Sequence, residues 1–123
     1  MTLVLVGAGG FLGAVARYLV DGWVSTATGG RFPWGTLAVN LSGSFLLGVL
    51  FALSLERAVL PAAIRAPVMI GFIGAYTTFS TLTLEAWRLL EDGSYALAAA
   101  NLVGSLALGV VAVVAGIALG RAL

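Results

Sequence analysis

Four long apolar stretches, parted by short polar punctuation, make up almost the whole of this chain. They run over about Leu3–Gly22, Trp34–Leu55, Pro61–Leu89 and Tyr95–Leu119. A helix needs ~20 apolar residues to cross a bilayer core, so each stretch is long enough. Between them lie Ser25-Thr26-Ala27-Thr28-Gly29-Gly30-Arg31-Phe32-Pro33, then Glu56-Arg57, then Glu91-Asp92-Gly93. These pieces are short and rich in turn-forming residues. The pattern predicts an all-α integral membrane protein, one domain over residues 1–123 with four transmembrane helices. The third stretch, at 29 residues, is too long for one straight span. Either it extends into water as an amphipathic end at Glu85 and Arg88, or it is interrupted near its centre.

Inside that third stretch the apolar pattern stops abruptly. Five hydroxyl side chains (Thr77, Thr78, Ser80, Thr81, Thr83) fall within seven positions, close behind Gly71 and Gly74. Hydrocarbon offers no hydrogen bonds, so polar groups at that depth need protein partners or water. Depth follows from the helical rise of ~1.5 Å per residue. Arg17 lies near one end of the first span and Asn40 lies at a similar remove from that side on the second. Phe79, Ser80 and Thr81 sit just past the centre of the third span, toward that side. Asn101 and Ser105 occupy the matching half of the fourth. The other half of the membrane receives mostly Leu, Val, Ala and Gly. One copy would therefore give a polar route that stops halfway, and a second, inverted copy would complete it.

The charges agree with an inverted pair. Arg57, Arg65 and Arg121 mark one side, and Arg31, Arg88 and Arg17 the other, so no positive-inside bias fixes one orientation. Trp23, Trp34, Trp87 and Tyr95 all mark a single interface, and inversion would give both interfaces an aromatic girdle. The expected assembly is an antiparallel, dual-topology homodimer in the lipid bilayer. The chain also repeats itself at an offset of 61 residues. Gly10-Phe11-Leu12-Gly13-Ala14 falls on Gly71-Phe72-Ile73-Gly74-Ala75, and Asn40–Val49 falls on Asn101–Val110 with seven of ten positions identical. This reads as a two-helix unit used twice in the same orientation.

Composition narrows the chemistry. Hydrophobic residues make up 61% of the chain and charged ones 9%, against ~25% charged in an average soluble domain. There is no Cys and no His, which removes thiol nucleophiles, imidazole acid–base chemistry and most zinc sites; no enzyme is expected. The six basic residues are all Arg, scattered singly, and do not form a nucleic-acid patch. The N-terminus lacks the basic segment of a signal peptide, so the first stretch reads as a retained helix. The deep side chains Asn40, Asn101, Ser44, Ser80, Thr81 and Ser105 are neutral hydrogen-bond donors. No Asp or Glu lies at mid-membrane, where a cation or proton exchanger normally keeps one. Arg17 puts positive charge at the entrance, as anion pores often do. The positive edge of the Phe79 ring could touch an anion without holding it tightly. Each residue alone has a plainer reading. Ser and Thr commonly bond their own i−4 carbonyl, Asn can glue helices, Phe79 can pack, and Arg17 can snorkel. The shared depth of all of them points to a small anion.

At these residues the chain resembles the Fluc (CrcB) fluoride channels. The resemblance rests on Gly9–Tyr18, on Gly35–Phe45 and on Gly71–Thr81, with Ser105 and Gly109 on the fourth span. It implies a passive, fluoride-selective channel in a prokaryotic plasma membrane, exporting fluoride that entered as HF. It implies antiparallel homodimers with two pores, lined by Asn40, Phe79, Ser80, Thr81 and Ser105, with Arg17 and Glu85 near the vestibule. It further implies that the third span breaks at the dimer axis, where the backbone carbonyls of Gly74 and Thr77 from both copies hold a structural Na+. Two positions depart from the family pattern: Leu82 stands where a second Phe is usual, and Asn101 where Tyr is frequent. Two other readings compete. A small dual-topology multidrug or cation exporter would need a carboxylate embedded in its first span, which is absent here, and in a non-transporting structural or assembly subunit Asn40→Asp or Phe79→Ile would change stability but no flux.

Overall fold

The computed structural model describes all 123 residues and contains only helices. Helix α1 covers Thr2–Thr28 and α2 covers Trp34–Phe51, continued by a π turn over Ala52–Glu56. The third span opens with α3 (Ala62–Arg65) and a π segment (Ala66–Ile73), and ends its first half with α4 (Gly74–Tyr76). After a break at Thr77 and Thr78, α5 (Phe79–Glu91) forms the second half, and α6 covers Tyr95–Ala122. Four runs are long and apolar enough to cross a membrane: Thr2–Thr28, Trp34–Glu56, Ala62–Glu91 and Tyr95–Ala122.

The first helix runs on through Thr28, six residues past the end expected at Gly22. The residues expected to form a loop cap their own turns instead. The Thr26 and Thr28 hydroxyls donate to the carbonyls of Gly22 and Val24, each at 2.8 Å. The Ser25 hydroxyl donates to Asp21 Oδ1 at 3.2 Å. Helical hydroxyls bonded in this way are satisfied without leaving the helix. The chain turns only at Gly29 and Gly30, whose φ values of 62° and 80° suit a residue without a Cβ.

The two repeat units interlock in parallel pairs, α1 against the first half of the third span and α2 against α6. Glycines set how close each pair comes. A Cβ on Gly71 would lie 2.6 Å from the Val6 carbonyl oxygen, and one on Gly13 would strike the Phe72 carbonyl. On the other pair, a Cβ on Gly48 would strike the Val113 carbonyl and one on Gly116 the Phe45 carbonyl. Without a hydrophobic drive between helices in lipid, this backbone-to-backbone contact supplies the packing energy. The large apolar side chains accordingly point outward: Phe11, Leu12, Val103 and Val111 are all more than half exposed on the single chain.

Polar ties fasten the ends. Arg121 makes a two-pronged ion pair to Glu56, with Nε and Nη2 donating at 2.7 and 2.6 Å. Arg57 donates to the Gly120 carbonyl at 3.3 Å. At the opposite end Arg31 donates to Ser94 Oγ at 3.1 Å.

Replacing Gly13 by Val should separate α1 from the third span. Overpacking costs roughly 1–3 kcal/mol or more, and here the obstruction is backbone that cannot rotate away. Size-exclusion chromatography in detergent should show loss of the monodisperse peak, whereas Gly104→Ala, which faces open space, should keep it.

Candidate functional site

The break in the third span organises the polar residues. Thr77 (φ −79°, ψ 157°) and Thr78 (φ −149°, ψ 116°) are extended; Thr77 keeps its N–H on the Ile73 carbonyl at 3.0 Å, but the Thr78 N–H and carbonyl lose their helical partners. In lipid these groups, left unpaired, would cost several kcal/mol each. Asn40 answers this directly. Its Oδ1 accepts from the Thr78 backbone N–H at 2.7 Å, and its Nδ2 donates to the Thr78 carbonyl at 3.0 Å. A primary amide carries an acceptor oxygen and a donor N–H₂ side by side, so one uncharged side chain can pair the N–H and the C=O of the same residue at once.

The sequence around Asn40 makes room for this pairing. Gly43 lies one turn along α2 on the same side. A Cβ there would strike the Thr77 methyl and come within 3.1 Å of the Tyr76 ring. Ser42 and the Tyr76 hydroxyl are hydrogen-bonded at 2.9 Å, which fixes the end of α4. The new helix then starts from Thr78, whose Oγ1 accepts from the Thr81 backbone N–H at 3.2 Å and donates to Thr81 Oγ1 at 3.0 Å. A Thr capping the first turn in this way is a common helix start.

Two grooves meet at Thr78. The larger, about 420 Å³, is lined by Asn40, Ser44, Phe79, Leu82 and Ser105 among others. The smaller, about 310 Å³, is lined by Arg17, Tyr18, Asp21, Thr36 and Thr81. Thr78 belongs to both walls. Arg17 is half-buried and has no ion pair, so its positive charge faces its groove uncompensated by contact. Phe79 stands 72% exposed on the single chain, at the start of the helix that follows the break.

The residues expected at a pore are thus divided. Asn40, Phe79 and Ser105 share the larger groove. Thr81 lies with Arg17 in the smaller. Ser80 is exposed and lines neither, its hydroxyl 3.4 Å from Thr78 Oγ1. Glu85 stands apart from Arg17 in a third depression beside Arg31 and Arg88. It reaches the Arg17 groove only through Thr36, whose hydroxyl donates to Glu85 Oε1 at 2.8 Å. Gly74 is exposed, and Thr77 is half-buried with its hydroxyl donating to the Ile73 carbonyl at 3.0 Å.

Sequence reasoning does not single out Thr78, which the structure puts at the centre. The available signal is its place as a hydroxyl residue immediately before an amphipathic helix, the position of an N-cap. Thr36 escapes it too, since nothing near it in sequence points to Glu85.

Fold and site together define a multi-pass membrane protein whose third span is broken and lined with neutral donors. The family model described as CrcB-like protein, Camphor Resistance (CrcB), matches residues 4–117. The chain belongs to this family. It is 51% identical over 119 residues to a protein of Hahella chejuensis named fluoride-specific ion channel FluC, covering 97% of this chain and 94% of that one. Proteins with the same name from Syntrophotalea carbinolica and Magnetococcus marinus are 47% and 46% identical. The first match covers 100% of both chains and the second 98% of both.

Replacing Asn40 by Ala should leave both Thr78 backbone groups without their partner. A buried group left unsatisfied costs about 1–3 kcal/mol. Hydrogen exchange should quicken at the Thr78 amide in Asn40→Ala and stay slow in Ser44→Ala, which lines the same groove without touching the break.

Proposed function

We propose that this protein is a passive, fluoride-selective channel of a prokaryotic plasma membrane that lets cytoplasmic fluoride leave and so relieves its toxicity. The relatives named fluoride-specific channels match it at up to 51% identity over nearly its whole length, and this carries the reading. The geometry supports it. Asn40, Phe79 and Ser105 line one groove, Thr81 and Arg17 another, and neither holds a carboxylate at mid-membrane. The acid nearest Arg17 is Asp21, four residues on toward the end of α1. A small dual-topology cation exporter would need a carboxylate deep in the first span, and Thr2–Val20 contains none.

In this reading two inverted copies form the channel and the grooves of both continue each other across the membrane. Fluoride is a small, strongly hydrated anion. Hydroxyl and amide N–H groups can replace its water one at a time, and the Phe79 ring edge offers a weak positive contact. Conduction needs sites strong enough to admit the ion and weak enough to release it. Arg17 would raise the local anion concentration at the mouth, with Glu85 at the vestibule rim held by Thr36. Ser80, exposed on the single chain, would meet the route only where the second copy covers it.

A structural Na+ at the dimer axis belongs to the same proposal. Oxygen donors suit a hard cation. The Thr77 hydroxyl is engaged with Ile73, so the donors on offer are backbone carbonyls, and exposed Gly74 leaves room for close approach from outside the chain. Gly74 and Thr77 of one copy contribute two carbonyls, which do not enclose an ion; those of two copies could. The residues present are compatible with the ion on these terms.

Purified protein in liposomes should release fluoride, read by a fluoride electrode, and hold chloride. Equal rates for the two ions would overturn selectivity, and no flux would overturn the channel. Phe79→Ile should slow fluoride release about two- to tenfold, taking the about 0.5–1.5 kcal/mol of a favourable contact between aromatic rings as the scale for a ring-edge contact. An unchanged rate would remove the ring from the route.

A further inference from the structure

The fourth span carries a buried amide, Asn101, that the route described above does not absorb. Asn101 is 1% exposed, among the most buried side chains in the protein, and it lines none of the grooves. Its Nδ2 donates to the Leu82 carbonyl at 3.4 Å. Its Oδ1 accepts from Ser105 Oγ, one turn along α6, also at 3.4 Å. Ser105 is 9% exposed and lines the larger groove beside Asn40 and Phe79.

The direction of these bonds follows from chemistry. A carbonyl can only accept, so the amide must turn its N–H₂ toward Leu82 and its oxygen toward Ser105. Ser105 has one proton, and that proton is directed at Asn101. What Ser105 retains for an ion in the groove is lone pairs, which repel an anion. An anion can bind Ser105 only by taking the proton away from Asn101. Both bonds are stretched, and the hydroxyl one lies well beyond the usual 2.5–3.0 Å for O–H···O, so the hold is weak enough to be broken by a charge-assisted bond.

We propose that Asn101 is a positioning residue that sets how tightly the route grips its anion, by competing for the Ser105 proton. Passage then includes an exchange: Ser105 leaves the Asn101 oxygen to donate to the ion and returns when the ion moves on. No covalent bond forms or breaks. Asn101 makes each visit to Ser105 less favourable and so speeds release. The inference rests on the channel reading, because it needs an anion in the larger groove.

The test is a double-mutant cycle read by fluoride efflux at varied fluoride concentration. Asn101→Leu keeps the branched four-atom shape of the side chain, with two methyl groups in place of the amide atoms, and removes the competing oxygen. It should lower the fluoride concentration at half-maximal flux about two- to tenfold, the range of one net hydrogen bond, and lower the maximal rate. In a Ser105→Ala background the same substitution should change neither. Equal effects of Asn101→Leu in the presence and absence of the Ser105 hydroxyl would show that Asn101 acts on packing alone and would overturn the inference, as would no effect in either background. Asn101→Gln serves if Asn101→Leu fails to fold. A longer amide should shift the half-maximal concentration only while Ser105 is present, and a shift that persists alongside Ser105→Ala counts against the proposal. A wild-type protein without fluoride flux would sink the channel reading itself, an outcome distinct from any of these.

Discussion

The structure depends on how a broken backbone is kept satisfied in the middle of a membrane. The backbone turns extended at Thr77 and Thr78, the Thr78 N–H and carbonyl leave the helical ladder, and lipid cannot replace what they lose. The Asn40 amide pairs both the N–H and the carbonyl of Thr78. Gly43 keeps α2 thin where Thr77 and Tyr76 press against it. Beside this pairing the Thr78 hydroxyl caps the first turn of α5, which opens on the exposed Phe79. The break is therefore a built feature with its own partners, and the hydroxyl cluster is in large part its scaffolding.

That constraint explains why the sequence was readable in some respects and silent in others. Helical class and four long apolar helices follow from composition and length, which lipid enforces strongly. The sudden run of hydroxyls after Gly74 marked a disturbance, but not which residue would cap the second half. Helix ends depend on small local bonds. Thr26 and Thr28 prolong α1 by bonding to their own helix, although as sequence they look like a loop. Depth estimates could gather Asn40, Thr81, Arg17 and Ser105 at one level. They could not separate them around the helix axes, and the structure divides them between two grooves joined at Thr78. Asn101 shows the same limit: its spacing matches Asn40 in the internal repeat, yet it is sealed inside while Asn40 holds the break.

The repeat has consequences for packing as well as for polarity. Duplicated helices lie against one another in parallel, with glycines pressed on carbonyls in both pairs. Such a core is built from close backbones and few large side chains, and it leaves the big apolar residues on the outside. Some of that surface would face lipid, and some would face a second copy. The two-sided distribution of Arg leaves the membrane little reason to prefer one orientation of the chain.

The central claim is that one chain supplies half a route and an inverted copy the other half. Because the chain has no cysteine, a single Leu123→Cys substitution gives a unique label at the C-terminus. Intact cells expressing it would be treated with a membrane-impermeant thiol reagent before and after permeabilisation. About half of the molecules should react from outside, and the remainder only once the membrane is opened. Labelling of all of them, or of none, from the outer face would contradict the account.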